Sequence, residues 1–458
     1  MKITLENIGQ IKNAEIDLSK DLIVLCGGNN TGKTYAAYTV YGLFEFTDKL
    51  LEKMNLESIS SKFKNWTGGI DLDLMDIFLS EKENIANIVK NEYLEYLPTV
   101  FASSKYFFKN PKISLDISDK EVIKELLAFK MNDTTELSSG LVVVIKKEVD
   151  TSLISISLVI KNESNSLIRK INWTISRFIG NLILQAIFKN SHIEPAERPS
   201  TIIFSQELLA GRFKIIDDVL AFDKDTSISD YIGKNAVKYS LPINDSLVFA
   251  GNLKTVKNQT SEYAYLADKI EKNILKGKMK ISEYGGVMFN PEKSKLNLDI
   301  KLTASSVKSL ASIIFYLRHL AKVGDFYIID EPELNLHPDN QRKIARIIAQ
   351  MVNAGIKVMI STHSDYIIRE LNNLIMLNAS DKGNEKDVTK LLKKYGYQKE
   401  ETLDYNKIGA YLFTSEASNV AVTNLEITST GFEIDTIDKE TEELNESSSD
   451  IFFTLHNA

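Results

Sequence analysis

The sequence predicts an α/β protein built on a largely parallel sheet with both faces covered. Two observations carry that prediction. Leu22-Ile23-Val24-Leu25-Cys26 is a short apolar run that ends in a Gly-rich turn and leads straight into a helical pattern from Tyr35 to Phe46. Far downstream, buried-strand patterns at Phe326–Ile329 and Lys357–Ile360 alternate with helical patterns at Ser306–Leu320 and Asn340–Val352. Alternation of this kind puts helices on both sheet faces, so the strands between them read as continuous apolar runs.

The turn after the first run is Gly27-Gly28-Asn29-Asn30-Thr31-Gly32-Lys33-Thr34, a G-x-x-x-x-G-K-T pattern in its required strand-to-helix setting. Glycines let successive backbone N–H groups curl into an anion-binding nest, and the helix start adds the positive end of its dipole. The spacing brings Lys33 to the β- and γ-phosphates of ATP and the Thr34 hydroxyl to Mg²⁺. All eight residues are therefore candidates for holding the nucleotide.

A chain of 458 residues exceeds one ordinary core and calls for two or three lobes. Its 43% hydrophobic and 26% charged content is that of an ordinary globular protein. The formal net charge of −7 gives no global reason for nucleic-acid or membrane binding, although a local basic patch stays open. Cys26 is the single cysteine, which excludes an intrachain disulfide and fits a reducing compartment. Its place at the end of a buried strand suits packing. The N-terminus lacks the charged and apolar regions of a signal peptide, and no apolar stretch reaches membrane-spanning length. The expected location is cytoplasmic.

Taken in order, Met1 to Leu18 predicts two short strands, with Ile3, Leu5 and Ile8 and then Ala14, Ile16 and Leu18 alternating with polar residues. From about Asp48 to Ile300 the signals thin. Helical periodicity runs over Leu74–Leu97, Leu167–Phe188, Leu208–Phe222 and Ser261–Leu275; strand alternation runs over Ile113–Ile117, Leu141–Lys147 and Leu153–Ile160. Ile281–Met288 and Leu296–Leu302 form a candidate hairpin across Asn290-Pro291-Glu292. No fixed repeat or sustained heptad appears, which disfavours a long coiled coil. Asp381 to Glu401 reads as loop plus a short helix. Phe432–Ile437 reads as a last strand before an acidic, Ser-rich segment, Glu440 to Asp450, after which Phe452 and Phe453 suggest a docked end.

Phe326-Tyr327-Ile328-Ile329-Asp330-Glu331 is an apolar strand that delivers two acids at its carboxyl end. That arrangement suits Asp330 to the water shell of Mg²⁺ and Glu331 to polarising an attacking water. No His/Cys cluster suggests structural zinc.

With these residues in place, the sequence resembles the ABC-type ATPase heads of the SMC, RecF and OLD-like proteins. The phosphate loop Gly27–Thr34 matches. So does a signature-like segment, Ala304-Ser305-Ser306-Val307-Lys308-Ser309-Leu310, that opens a helix. Asp330-Glu331-Pro332-Glu333-Leu334-Asn335-Leu336-His337-Pro338 is similar to a Walker B and D-loop, and Ser361-Thr362-His363-Ser364 to a switch-histidine segment. The resemblance implies an ABC-type P-loop head with a mixed sheet, interrupted by a mostly helical insertion. It also implies ATP hydrolysis with Thr34 and Asp330 on the metal, Glu331 as base, and His363 at the γ-phosphate. Ser305, with Ser306 beside it, would reach the nucleotide of a second protomer, so that two heads sandwich two ATP molecules. Ser306-Val307 stands where transporter-type heads carry paired glycines. Gln206, in Ile202-Ile203-Phe204-Ser205-Gln206, is the candidate for a Q-loop glutamine. Arg198, in Glu194-Pro195-Ala196-Glu197-Arg198, is similar to a segment of OLD-like and defence ATPases, and suits either a nucleotide or partner-head contact or a turn-stabilising role. His337 suits ordering of the D-loop; His192, His319 and His456 have no constellation.

The organisation expected is a head from residues 1–60 and 281–380, an insertion over 61–280 that lends some strands to the head, and a C-terminal extension over 381–458. The long insertion disfavours a transporter. The stretch after His363 is short for a Toprim nuclease, and its acids Glu440, Glu442 and Glu443 run together instead of ending spaced strands. What remains resembles the stand-alone ATPases of bacterial anti-phage systems, such as PtuA of Septu or AriA of PARIS. That resemblance implies an even-numbered homo-oligomer of paired heads and a separately encoded effector, a nuclease or toxin. A RecF-like repair head acting directly on DNA stays open beside it, as does an ATP-binding regulator with little turnover. The paired bases Lys146-Lys147, Arg169-Lys170 and Lys393-Lys394 are too scattered to choose.

Overall fold

The structure, a computed structural model, describes residues 1–54, 56–61, 68–137, 141–159, 165–208, 238–378, 385–416 and 419–456. The chain enters through β1 (Lys2–Ile8), β2 (Ile11–Asp17) and β3 (Leu22–Gly27). It continues through β4 (Gly69–Asp73), β5 (Lys112–Asp116), β6 (Met131–Leu137), β7 (Leu141–Lys147), β8 (Leu153–Val159) and β9 (Ser191–Glu194). The later strands are β10 (Gly277–Ile281), β11 (Val287–Pro291), β12 (Leu298–Asp299), β13 (Phe326–Asp330), β14 (Lys357–Thr362), β15 (Ile408–Glu416) and β16 (Asn419–Leu425).

Nine of these form one sheet in the order β5-β1-β2-β16-β15-β3-β14-β13-β9. Its middle, β15-β3-β14-β13-β9, is parallel throughout, and the β1-β2 and β15-β16 pairs are antiparallel, so the sheet is mixed. Every residue of the run Leu22–Cys26 is buried because alternate side chains enter opposite cores. Ile23 and Leu25 join the cluster that holds Ala36, Val40 and Phe78; Leu22, Val24 and Cys26 join the one that holds Leu310, Ile344 and Leu371. The phosphate-loop helix Lys33–Glu45 and the long helix Leu74–Val100 cover the first face. The helices Ser305–His319, Pro338–Asn353 and Asp365–Asn378 cover the second. This is an α/β P-loop ATPase-type head.

The insertion carries, beside its long helices Leu74–Val100 and Asn165–Ile187, an antiparallel sheet of order β4-β8-β7-β6. β5 and β9 leave it to join the head sheet, and β5 sits at the edge beside β1. The C-terminal span does the same from the other end. β15 lies directly against β3, so residues past 380 belong to the sheet that bears the phosphate loop.

Four expectations need correction. The hairpin near Pro291 forms, with Met288 opposite Asp299 and Phe289 opposite Leu298 across β11 and β12, but its first strand is divided: Ile281 ends β10, which pairs with β11 across Ser282–Gly286, and Asn290 and Pro291 lie within β11 and not in the turn. The run Ile202–Gln206 lies in a helix over 198–208, not a strand. Phe432 and Ile434 are buried in irregular chain, and Ile437 falls in the helix Asp435–His456. Phe452 and Phe453 are 55% and 57% exposed, so this end does not dock on its own head. Apart from Leu208, the helix expected over 208–222 lies outside the described residues.

Gly27 explains why β15 comes so close. Its φ is +140°, and a Cβ there would lie 2.3 Å from the Phe413 carbonyl oxygen of β15. No L side chain fits that approach. Gly27→Ala is expected to cost about 2 kcal/mol or more of stability, read by chemical unfolding. A variant as stable as the wild type would show that β15 does not close over the phosphate-loop strand.

Candidate functional site

The site gathers at the carboxyl ends of three neighbouring parallel strands, β3, β14 and β13, where α/β sheets hold ligands. β3 delivers the loop Gly27–Thr34. Asn30 and Gly32 have φ of +59° and +87°, which turns the loop back before the helix begins. Gly32 is the helix N-cap and supplies no side-chain cap, leaving first-turn N–H donors for an anion. The Thr31 hydroxyl donates to the Gly28 carbonyl at 2.8 Å and braces the turn. Lys33 is buried, and its ammonium donates to the Gly27 and Gly28 carbonyls at 3.0 and 2.7 Å. Burial pulls its pKa below the usual lysine value, against the charges of Asp330, Glu331 and Glu333.

Asp330 ends β13, buried, between two hydroxyls. Thr34 donates to its Oδ2 at 3.0 Å, and Ser361, its register partner on β14, donates to its Oδ1. Burial raises the carboxyl pKa, while the Ser361 and Thr34 hydroxyls oppose the shift. A carboxylate and a hydroxyl this close are hard oxygen donors of the kind Mg²⁺ takes together with phosphate oxygens and water. Among the described residues no cluster of three or more His, Cys, Asp or Glu is placed to hold an ion. One carboxylate and one hydroxyl are a donor set that fits a metal taking its other ligands from phosphate and water.

The next residue, Glu331, has φ +51°, an uncommon left-handed conformation for a residue with a side chain. Its N–H donates to the Ser361 carbonyl at 3.0 Å. The His363 ring lies beside it at the end of β14, with Nδ1 at 3.9 Å from Glu331 Oε1 and 3.4 Å from Glu333 Oε1. Glu333 is buried; its Oε1 accepts from the Thr362 hydroxyl at 2.8 Å and the His363 N–H at 2.9 Å. Glu333 thus fixes the backbone that carries the histidine.

Arg198 occupies the base of this site. It has no solvent exposure, and its guanidinium donates to four main-chain carbonyls. Nη1 reaches Asp330 O at 2.6 Å and Pro195 O at 3.2 Å, Nη2 reaches Glu331 O at 2.7 Å, and Nε reaches Ser309 O at 2.9 Å. The structural alternative for this arginine is the observed one, with a larger reach than one turn. Gln206 is exposed, and its amide lies 3.4 Å from the Tyr284 carbonyl, on the β10–β11 turn. Nothing observed places it at the loop.

Ser305 and Ser306 open the helix Ser305–His319, Ser305 exposed and Ser306 half-buried, without a side-chain cap ahead of them. One turn on, the Ser309 hydroxyl donates to Ser305 O at 3.0 Å and accepts from the Asn335 amide at 2.9 Å. His337 caps the helix Pro338–Asn353 by accepting from Asp339 N–H. Cys26 donates to Tyr411 O at 3.3 Å, and burial pushes its thiol up to about 12, which fits packing.

Reading the sequence missed Ser361, Glu333 and the reach of Arg198. Ser361 was legible as the hydroxyl that opens Ser-Thr-His-Ser, and Glu333 as the second acid of Glu-Pro-Glu. Apart from Pro195 in its own turn, Arg198 had no local signal for its partners, which lie more than 100 positions away.

A protein-family model described as an AAA ATPase domain matches residues 1–368. The chain belongs to this AAA ATPase family. No curated protein matches. Among solved structures, this AAA ATPase chain is similar to an Smc head bound to the C-terminal winged-helix domain of ScpA, at 11% identity and TM-score 0.36 over 93% of this chain and 98% of that one. A second is an Smc head with an extended coiled coil bound to the C-terminal domain of ScpA derived from Pyrococcus furiosus, at 10% identity and TM-score 0.32, covering 98% of each chain. A third is the SMC head of Thermotoga maritima, at 10% identity and TM-score 0.30, over 93% of this chain and 98% of that one. Membership supports ATP binding and hydrolysis at the level of the family. Among the described residues no helix is long and apolar enough to cross a membrane.

Ser361→Ala removes one of the two hydroxyls that orient Asp330. The Mg²⁺ concentration for half-maximal ATP hydrolysis is expected to rise on the order of tenfold or more. An unchanged Mg²⁺ requirement would separate Ser361 from the metal site.

Proposed function

We propose that this chain is an ATP-hydrolysing head that pairs with a second copy across two bound nucleotides, and that the pairing controls a separately encoded effector, a nuclease or toxin, in bacterial anti-phage defence. The observation that carries the hydrolytic part is the convergence of Lys33, Thr34, Asp330, Glu331 and His363 on one sheet edge. In this reading Gly27–Thr34 wrap the phosphates and Lys33 exchanges a loop carbonyl for phosphate oxygen. Thr34 and Asp330 hold Mg²⁺, which when bound neutralises charge on the phosphates. Glu331 takes the proton of the attacking water, and His363 supports the γ-phosphate.

Pairing is supported by the start of the helix Ser305–His319. Its first turn has no side-chain cap and opens on the exposed Ser305 beside the half-buried Ser306, a start that suits phosphate from outside the head. A separate effector is supported by the chain beyond His363. Its described residues complete the head sheet through β15 and β16 and then form the helix Asp435–His456, which exposes Leu444, Ile451, Phe452 and Leu455. Uncovered apolar residues on an acidic helix suit a protein partner. The defence assignment itself rests on the sequence resemblance.

The test is native mass and nucleotide binding of the chain co-expressed with its genomic neighbours, with ATP and Mg²⁺. Lys33→Ala is expected to lose ATP binding; retained affinity would remove the loop from nucleotide binding. Glu331→Gln is expected to bind ATP, turn over on the order of a hundredfold more slowly, and accumulate as paired heads. A second protein that co-purifies in fixed ratio supports effector control. A chain that runs alone and shifts on adding DNA favours the repair-type head instead.

A further inference from the structure

We infer that Arg198 is the positioning residue of the hydrolytic acid, and that it joins this acid, inside one head, to the segment that meets the partner's nucleotide. The inference rests on the ATPase reading above and goes beyond it, since it says how each head's turnover answers to pairing.

Its first arm is the fork on the Walker B end. Nη1 and Nη2 hold the carbonyls of Asp330 and Glu331, two successive peptides, at 2.6 and 2.7 Å. Between those carbonyls the backbone of Glu331 sits at φ +51°. A planar guanidinium with both carbonyls in its fork opposes rotation of that peptide, and so fixes the direction in which the Glu331 side chain leaves the strand. The Glu331 N–H, held by Ser361 O on β14, completes the restraint from the other side.

The second arm is Nε on the Ser309 carbonyl, one turn inside the helix that Ser305 opens. Two further bonds tie the same helix face to the same region. Asn335, just beyond the acids, donates to the Ser309 hydroxyl, which in turn donates to the Ser305 carbonyl. Ser312 donates to Glu194, four residues before Arg198. Burying a guanidinium is costly unless its donors find acceptors, and here three of the four acceptors come from the two segments that must act together, the fourth being Pro195 in the arginine's own turn. A phosphate gripped by the exposed first turn shifts Ser309, and the rigid guanidinium passes that shift to the peptides of Asp330 and Glu331.

The experiment measures ATP hydrolysis per head against protein concentration, alongside ATP affinity and thermal unfolding, for the wild type, Arg198→Lys, Arg198→Met and Asn335→Gly. Glycine is chosen at Asn335 because its φ is +61°, so the backbone is kept while the amide is lost. Arg198→Lys is expected to bind ATP within about threefold of the wild type while kcat falls about tenfold or more. The rise of turnover with protein concentration is expected to disappear with it. Asn335→Gly is expected to keep ATP affinity and weaken that rise severalfold. Arg198→Lys with wild-type kcat and concentration dependence overturns the inference, as does a fall in kcat matched by an equal fall in ATP affinity. Asn335→Gly with an unaltered concentration dependence overturns the coupling even if both Arg198 variants fail to fold. A wild type that does not hydrolyse ATP overturns the ATPase reading and this inference together.

Discussion

One buried guanidinium under the Asp330–Glu331 junction is the interaction on which the geometry of the site depends. Strand β13 ends where its residues must change direction, and Glu331 makes the change in a conformation that L residues avoid. Arg198 holds the carbonyls on either side of it, and β14 holds its N–H. Take that support away and the acid would relax with the strand end. The same side chain reaches the helix Ser305–His319, so the acid and the exposed helix start are parts of one hydrogen-bonded unit.

Electrostatics in the site are a balance between burial and a few close partners. Burial raises Asp330 and lowers Lys33, each toward its neutral form, and the carboxylates around Lys33 and the hydroxyls on Asp330 oppose it. Bringing phosphate and a divalent cation into such a place adds opposite charges beside both groups. In the proposed reading Lys33, held on the Gly27 and Gly28 carbonyls, would exchange them for phosphate oxygens. The buried Glu333 carboxyl lies behind His363, where it orders the end of β14.

The C-terminal strands β15 and β16 lie in the same sheet as the phosphate-loop strand. β15 packs against β3 so tightly that residue 27 has to be glycine, and the Cys26 thiol and Tyr411 carbonyl meet across the same seam. The phosphate loop is therefore clamped by chain from both ends of the sequence. Beyond β16, the helix Asp435–His456 exposes Leu444, Ile451, Phe452, Phe453 and Leu455 among its described side chains.

The loop, the acid pair, the Ser361–Ser364 segment and the parallel strands that carry them were all legible in the order of residues. Each is local: a glycine spacing, or an apolar run whose period and flanking residues set its structure within a dozen positions. Long helices of the insertion were legible for the same reason. The rest came only with the folded chain. That Ile408–Phe413 would enter the sheet beside β3, and that β9 would close its far edge, depends on pairings made across more than a hundred positions. The four acceptors of Arg198 are main-chain carbonyls, which every residue possesses and no residue advertises. Hydrogen bonds to side chains leave a trace in the sequence; hydrogen bonds to backbone are written only by the fold.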